Sequence, residues 1–99
     1  MGWSVLLNTN STTMKTFTVT DLTSFKFLSL ELVFNNQVIA QILTPAIQYN
    51  RLRCIAGYVD AETNLSIGYC VCDSPTTVNV MVIRQVNKTN MYVMLRGIK

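Results

Sequence analysis

The chain has 99 residues, of which 13 are charged, about half of the roughly 25% charged fraction usual in soluble domains. Hydrophobic residues make up 49%, which excludes intrinsic disorder, and the length predicts one domain spanning residues 1–99. The net charge of +3 comes from eight scattered cations that form no basic stripe, and no apolar run is long enough to span a membrane. Neither nucleic-acid binding nor a transmembrane segment is therefore expected.

Apolar residues recur with a period of two, which is typical of strands. In residues 26–34, the side chains of Leu28, Leu30, Leu32 and Phe34 share one apolar face. Thr, Val and Ile together supply 30 residues, and these β-branched types favour a pleated sheet. The predicted strands cover, in chain order, about residues 2–7, 14–20, 26–34, 37–43, 51–59, 65–72, 77–86 and 91–98.

Polar turn signals separate these strands at short intervals. Asn35 and Asn36 can supply the positive φ angles of a tight hairpin, and Thr44-Pro45 predicts the end of a strand. Residues 44–50 fit either a short helical turn or a loop. About eight short strands with turns every 8–12 residues predict an all-β fold, an antiparallel jelly-roll-like β-sandwich.

The three cysteines, Cys54, Cys70 and Cys72, are too few and too odd in number for a disulfide framework. Because the chain has no histidine, a zinc site is not expected, and no metal is predicted. Buried thiols are the main expectation for all three cysteines. A Cys54–Cys70 or a Cys54–Cys72 bridge across paired strands is the alternative.

The inventory of reactive side chains argues against an enzyme. Histidine, the commonest general base, is absent, and Asp60 and Glu62, the only close pair of acids, fit a solvated turn. No glycine-rich phosphate loop is present; Gly57, Gly68 and Gly97 lie in predicted strands, where glycine marks a bulge or a close backbone approach. We therefore predict no catalytic residue and no cofactor.

Exposed aromatic rings beside amide side chains are the usual means of binding sugars, because a ring stacks on the sugar face while amides meet the hydroxyls. Four aromatic residues fit this role: Trp3, Tyr49, Tyr58 and Tyr92. Packing in the core or between subunits is the alternative for each of them.

The shortage of charge also predicts association. Both faces of the predicted strand 77–86 are largely apolar, whereas a sandwich buries only one face of each sheet. We therefore predict that part of the second face lies between subunits. The residues predicted for this interface are Phe27, Val33, Met81 and Ile83.

Several short motifs follow one another in a recognisable order. The chain opens with Gly-Trp-Ser-Val-Leu at residues 2–6, continues with Phe-Thr-Val-Thr-Asp-Leu-Thr-Ser-Phe-Lys-Phe-Leu-Ser-Leu at residues 17–30, and ends with Tyr-Val-Met-Leu-Arg-Gly-Ile-Lys at residues 92–99. A hairpin and the Thr44-Pro45 corner lie between the last two. This order resembles the C-terminal head or tip domain of tailed-phage and prophage tail fibres.

The resemblance implies a non-enzymatic, homotrimeric module of a virion, made in the bacterial cytoplasm, that contacts a host-surface glycan or protein. The loops at residues 60–64, 73–77 and 87–90 would then form the recognition surface. The residues predicted to contact the receptor are Asn64, Asn87, Lys88 and Asn90. A structural virion or baseplate component and a small cytoplasmic phage or bacterial regulatory protein are the alternatives.

Overall fold

The computed structural model describes residues 2–45 and 52–99. These residues form eight strands and a one-turn 3₁₀ helix at Leu22–Ser24, which confirms the all-β prediction. The strands are β1 (Ser4–Thr9), β2 (Lys15–Thr18), β3 (Phe27–Phe34), β4 (Gln37–Pro45), β5 (Leu52–Val59), β6 (Leu65–Ser74), β7 (Thr77–Ile83) and β8 (Met91–Ile98). No helix in the described residues has the length and apolar character that crossing a membrane requires.

Two antiparallel sheets of four strands pack against each other, which confirms the predicted β-sandwich. Sheet A has the strand order β1-β8-β3-β4, and sheet B has the order β2-β7-β6-β5. Strands β3 and β4 form a hairpin, and β5, β6 and β7 form a meander. Strand β1 pairs with β8 and β2 pairs with β7, so strands far apart in sequence lie side by side. Jelly rolls have the same nested pairing of early strands with late ones.

The core lies between the two sheets and follows the predicted alternation. Leu28, Leu30 and Leu32 of β3 are fully buried, as the period of two predicts, and Phe34 is partly buried at the end of the same face. Sheet B contributes every second residue of β6 and β7. Its fully buried side chains are Cys70, Cys72, Val78, Val80 and Val82. Burying each leucine contributes about 1.5–3 kcal/mol relative to an exposed position.

The strand ends differ from the prediction where neighbouring segments take over the backbone hydrogen bonds. Strand β2 stops at Thr18, two residues early, because the chain crosses to the β6–β7 turn, where the Val19 N–H donates to the Thr76 carbonyl. Strand β7 stops at Ile83 rather than at residue 86. In the other direction, β4 continues through Pro45, and residues 46–50 of the undecided segment lie outside the described residues.

The outer face of sheet A has a polar centre. Glu31 of β3 is only 6% exposed and accepts a hydrogen bond from the Arg96 Nε at 3.2 Å. The Gln41 amide donates to the Ser29 hydroxyl at 2.8 Å and to the second Glu31 carboxylate oxygen at 3.3 Å. These contacts satisfy the buried carboxylate, so an acidic residue is accommodated in the middle of the sheet.

The outer face of sheet B is apolar by contrast. Ile55, Val59, Leu65 and Ile83 are each between 44% and 60% exposed there. Along β5, β6 and β7, the residues that alternate with the buried ones point outward. The half-buried side chains of Ile67, Tyr69 and Met81 therefore lie on this same outer face of sheet B. Among the described side chains of these three strands, only that of Arg53 brings a charge to this face. We call this surface the apolar face.

The four residues predicted for a subunit interface do not share one surface. Met81 and Ile83 belong to the apolar face of sheet B, whereas Phe27 and Val33 lie on the outer side of sheet A. Val33 is only 3% exposed because other side chains of the same chain cover it. The sequence could not separate the two groups, because alternation gives the side of a strand but not the sheet to which that strand belongs.

Candidate binding site

Most of the polar turns gather at one end of the sandwich, which we call the turn end. The β3–β4 turn and the start of β8 meet there, because Phe34 pairs with Met91 and the Asn35 N–H donates to the Asn90 carbonyl at 3.1 Å. The β5–β6 turn and the connection between β7 and β8 lie at the same end, because Ile67 pairs with Ile83.

Two of the three predicted recognition loops share the turn end, and the third does not. Residues 60–64 and 87–90 lie together at the turn end, linked by an ion pair between Lys88 and Asp60. Residues 73–77 form the turn between β6 and β7 and therefore lie at the opposite end, beside Leu22, whose N–H donates to the Pro75 carbonyl. Consecutive hairpin turns in a meander alternate between the two ends, so one surface cannot contain all three loops.

Lys88 and Asp60 join two loops instead of presenting free charges. The Lys88 ammonium lies 3.5 Å from the Asp60 carboxylate and 5.1 Å from the centre of the Phe34 ring. The Asn64 N–H donates to Asp60 Oδ1 and lowers the pKa of that carboxyl, with further lowering from the Glu62 N–H and from Lys88. The predicted turn role of the acids at 60 and 62 therefore fits the structure, and Lys88 positions the loops.

A shallow groove of about 380 Å³ lies at the turn end beside these loops. A second depression of about 400 Å³ adjoins it over the end of β1, since Asn10 and Tyr92 line both. We call the two together the asparagine groove. Its lining residues are Asn8, Thr9, Asn10, Asn35, Asn36, Thr89, Asn90, Met91 and Tyr92.

The backbone of the β3–β4 turn explains two of the asparagines. Asn35 and Asn36 have φ angles of 51° and 65°, which confirms the predicted tight hairpin with left-handed residues. Asparagine tolerates this conformation better than other residues with a side chain. The Asn90 amide donates to the Asn35 side-chain oxygen at 3.3 Å, so the turn is held against the start of β8.

The chemistry of the groove is uncharged and rich in hydrogen-bonding groups. Each amide side chain offers two donors and one acceptor, and five of the lining residues are asparagines. Tyr92 is half-buried and lines both depressions, where it is the one aromatic residue of the lining, while Met91 is buried beside the first. Such a surface suits a neutral ligand rich in hydroxyl groups, and it contains no pair of carboxylates for acid–base chemistry.

The groove includes part of the predicted site. Asn90 lines it, and so does Tyr92, one of the four aromatic residues that fit sugar stacking in the sequence. Asn64, Asn87 and Lys88 share the turn end but do not line the groove, and their contact with a receptor stays a prediction. Thr89 belongs to the predicted recognition loop 87–90. Sequence reasoning missed Asn8, Asn10, Asn35 and Asn36 as site residues, since only the pairing of β8 with β1 and β3 brings them close to that loop.

The other aromatic candidates lie away from the groove. Trp3 precedes β1 at the opposite end and is 38% exposed, and Tyr58 is partly buried against the core. Tyr49 lies outside the described residues. In the described part of the chain, no three His, Cys, Asp or Glu side chains come close enough to hold a metal ion.

Comparisons with known proteins add no functional information. No protein-family model, curated protein or solved structure matches the chain.

Proposed function

We propose that this protein is a non-enzymatic attachment module that binds a neutral glycan in the asparagine groove. The observation that carries the proposal is the presence of five asparagines and one aromatic residue, Tyr92, along the groove, with no charged side chain among the groove's lining residues. Amides match the paired donor and acceptor character of sugar hydroxyls, and the ring offers a flat apolar surface to the sugar face. A protein loop that presents hydroxyl and amide groups is the second ligand of the same chemistry.

The resemblance to tail-fibre tip domains supplies a setting for this activity. In that setting the chain is the tip of a phage or prophage tail fibre, made in the bacterial cytoplasm and assembled into a virion. The groove then contacts a polysaccharide or protein on the host surface. The position of the groove at the end opposite the start of β1 and the end of β8 supports a distal role, because the groove faces away from those strand ends.

Binding of neutral and anionic glycans on an array tests the proposal. We expect neutral glycans to bind, and we expect Tyr92→Ala to weaken that binding at least tenfold, which corresponds to about 1.4 kcal/mol. Asn36→Gly is the second informative variant, because glycine keeps the positive φ of the turn and removes only the amide.

Asn87→Ala separates the groove from the loop contact predicted from the sequence, since Asn87 is an exposed asparagine at the same end but outside the groove. Its affinity should equal that of the unchanged protein if the groove alone binds the glycan, and weakened binding would support the predicted contact of Asn87. Binding restricted to anionic glycans, or binding that survives both Tyr92→Ala and Asn36→Gly, would exclude the groove as the site.

We further propose that the chain forms a homo-oligomer, a trimer by the resemblance, through the apolar face of sheet B. Little charge opposes the contact of two copies of this face, because Arg53 brings the only charge among its described side chains. Of the four interface residues predicted from the sequence, the proposed interface therefore includes Met81 and Ile83 and leaves out Phe27 and Val33. The same apolar face also suits the alternative of a structural virion or baseplate component, which the glycan experiment separates from a receptor-binding tip.

Light scattering after size-exclusion chromatography measures this association. We expect a mass that is a multiple of 11.1 kDa, and we expect Ile83→Asp to reduce it to that of a single chain, because a buried unpaired carboxylate opposes assembly. Phe27→Asp is the control, since Phe27 is 43% exposed on the opposite face. A single-chain mass for the unchanged protein would refute the oligomer. If Phe27→Asp dissociated the oligomer and Ile83→Asp did not, the interface would lie on sheet A instead.

A further inference from the structure

Two of the three cysteines lie directly opposite each other on neighbouring strands. Cys54 of β5 and Cys70 of β6 are register partners, and both side chains point between the sheets. Directly opposed residues in an antiparallel pair have Cα atoms about 4.5–5.5 Å apart, within the range of about 4.4–6.8 Å that a disulfide spans. The register therefore places the two Cα atoms within the span of a disulfide.

The third cysteine is not placed for the same bond. Cys72 is opposite Leu52, so its relation to Cys54 is diagonal, with a separation of about 7–8 Å that exceeds the reach of a disulfide. Its thiol also donates to the Ser74 carbonyl at 2.7 Å. The structure thus separates the two bridges that the sequence left as alternatives.

The two opposed thiols differ in access to solvent. Cys54 is half-buried on β5, an edge strand of sheet B, whereas Cys70 is fully buried. The hydrogen bond from Cys70 lowers the pKa of the Cys54 thiol, and that contact together with burial raises the pKa of Cys70. Because the thiolate is the nucleophile in disulfide exchange, Cys54 is the sulfur that reacts first.

We propose that Cys54 and Cys70 form a reversible disulfide when the protein meets a small-molecule disulfide such as oxidised glutathione. The Cys54 thiolate attacks one sulfur of the reagent, and one molecule of glutathione leaves as a thiolate. Cys70 then loses its proton and attacks the Cys54 sulfur, which releases the second glutathione. Two protein thiols are oxidised by two electrons, and one glutathione disulfide is reduced to two thiols.

The bond would fasten the edge strand β5 to the centre of sheet B. Strand β5 pairs only with β6 and follows residues 46–51, which lie outside the described part of the chain. A crosslink between residues 54 and 70 closes a short chain loop, and for a domain of this size it should raise the Tm by roughly 10–25 °C. The structure contains all three cysteines as free thiols.

Intact mass after incubation in glutathione buffers of increasing oxidation tests the proposal. The unchanged protein and Cys72→Ala should each lose about 2 Da, the two hydrogens of the thiols, and peptide mapping should link Cys54 to Cys70. Cys54→Ser should show no such loss and no rise in Tm on oxidation. Substitution at Cys54 is preferred to substitution at Cys70, because the half-buried position tolerates serine better than the core does.

Three results would overturn the proposal. These are a linkage that involves Cys72, a stable glutathione adduct on Cys54 that Cys70 does not resolve, and the persistence of all three thiols at every buffer ratio. None of them depends on glycan binding, so the test is independent of the proposed function.

Discussion

Replacing Gly97 by alanine should destabilise the protein by about 2–4 kcal/mol and lower its Tm by roughly 10–25 °C. Gly97 lies in β8 against the buried ring of Phe25, and a Cβ atom built on Gly97 would lie 2.6 Å from Cδ1 and 2.8 Å from Cγ of that ring. Phe25 is only 4% exposed, so the ring cannot move aside without disturbing the core. Thermal and urea unfolding monitored by circular dichroism measure the loss.

Gly57→Ala is the matched control for this substitution. Gly57 also lies inside a strand, but a Cβ atom there would meet no atom within 4 Å. We expect its free energy of unfolding to be unchanged or slightly raised, because alanine restricts the unfolded chain and fits an extended backbone. Equal effects of the two substitutions would show that the cost reflects loss of glycine flexibility and not contact with Phe25.

Replacing Arg96 by methionine should cost about 1–3 kcal/mol at neutral pH. The substitution keeps most of the aliphatic length of the side chain but removes the guanidinium that donates to Glu31 Oε1 at 3.2 Å. The Glu31 side chain is only 8% exposed, so its charge would lose its partner in a site that water scarcely reaches. Arg96 is itself one-third exposed, which limits the cost.

A double variant separates the unpaired charge from lost packing. Adding Glu31→Gln to Arg96→Met should recover much of the lost free energy of unfolding, because a neutral amide still bonds with Ser29 and Gln41. Arg53→Met, at an exposed position on the apolar face, should change stability by less than about 0.5 kcal/mol. Failure of the double variant to recover stability would assign the cost to packing of the Arg96 side chain.

The strands and their inward faces could be predicted from the sequence because they depend on local order. Alternation in β3 and β7 correctly identifies Leu30 and Val80 as core residues, since side chains of a strand point to opposite faces in turn. The tight turn at Asn35 and Asn36 was equally local, because it depends on the conformational tolerance of two residues.

The asparagine groove could be predicted only in part, because it depends on contacts between distant segments. Its walls come from residues 8–10, 35–36 and 89–92, which meet only after β8 pairs with both β1 and β3. Composition showed an excess of asparagine but not where the asparagines would meet. The burial of Glu31 on an outer face could not be predicted from the sequence either, because it depends on Gln41 and Arg96 from the neighbouring strands.

The groove lies at the end of the sandwich opposite the start of β1 and the end of β8, so the protein can be attached to a surface through either of those strand ends. Strand β1 begins and β8 ends at one end of a molecule that is 39 Å in its longest dimension, while the groove opens at the other. A biotin tag or a fusion partner joined before β1 or after β8 would therefore leave every groove facing outward on a sensor chip. Arrays of such modules on a particle should gain avidity of about 10²–10⁴ over a single copy, which would make even millimolar sugar contacts measurable.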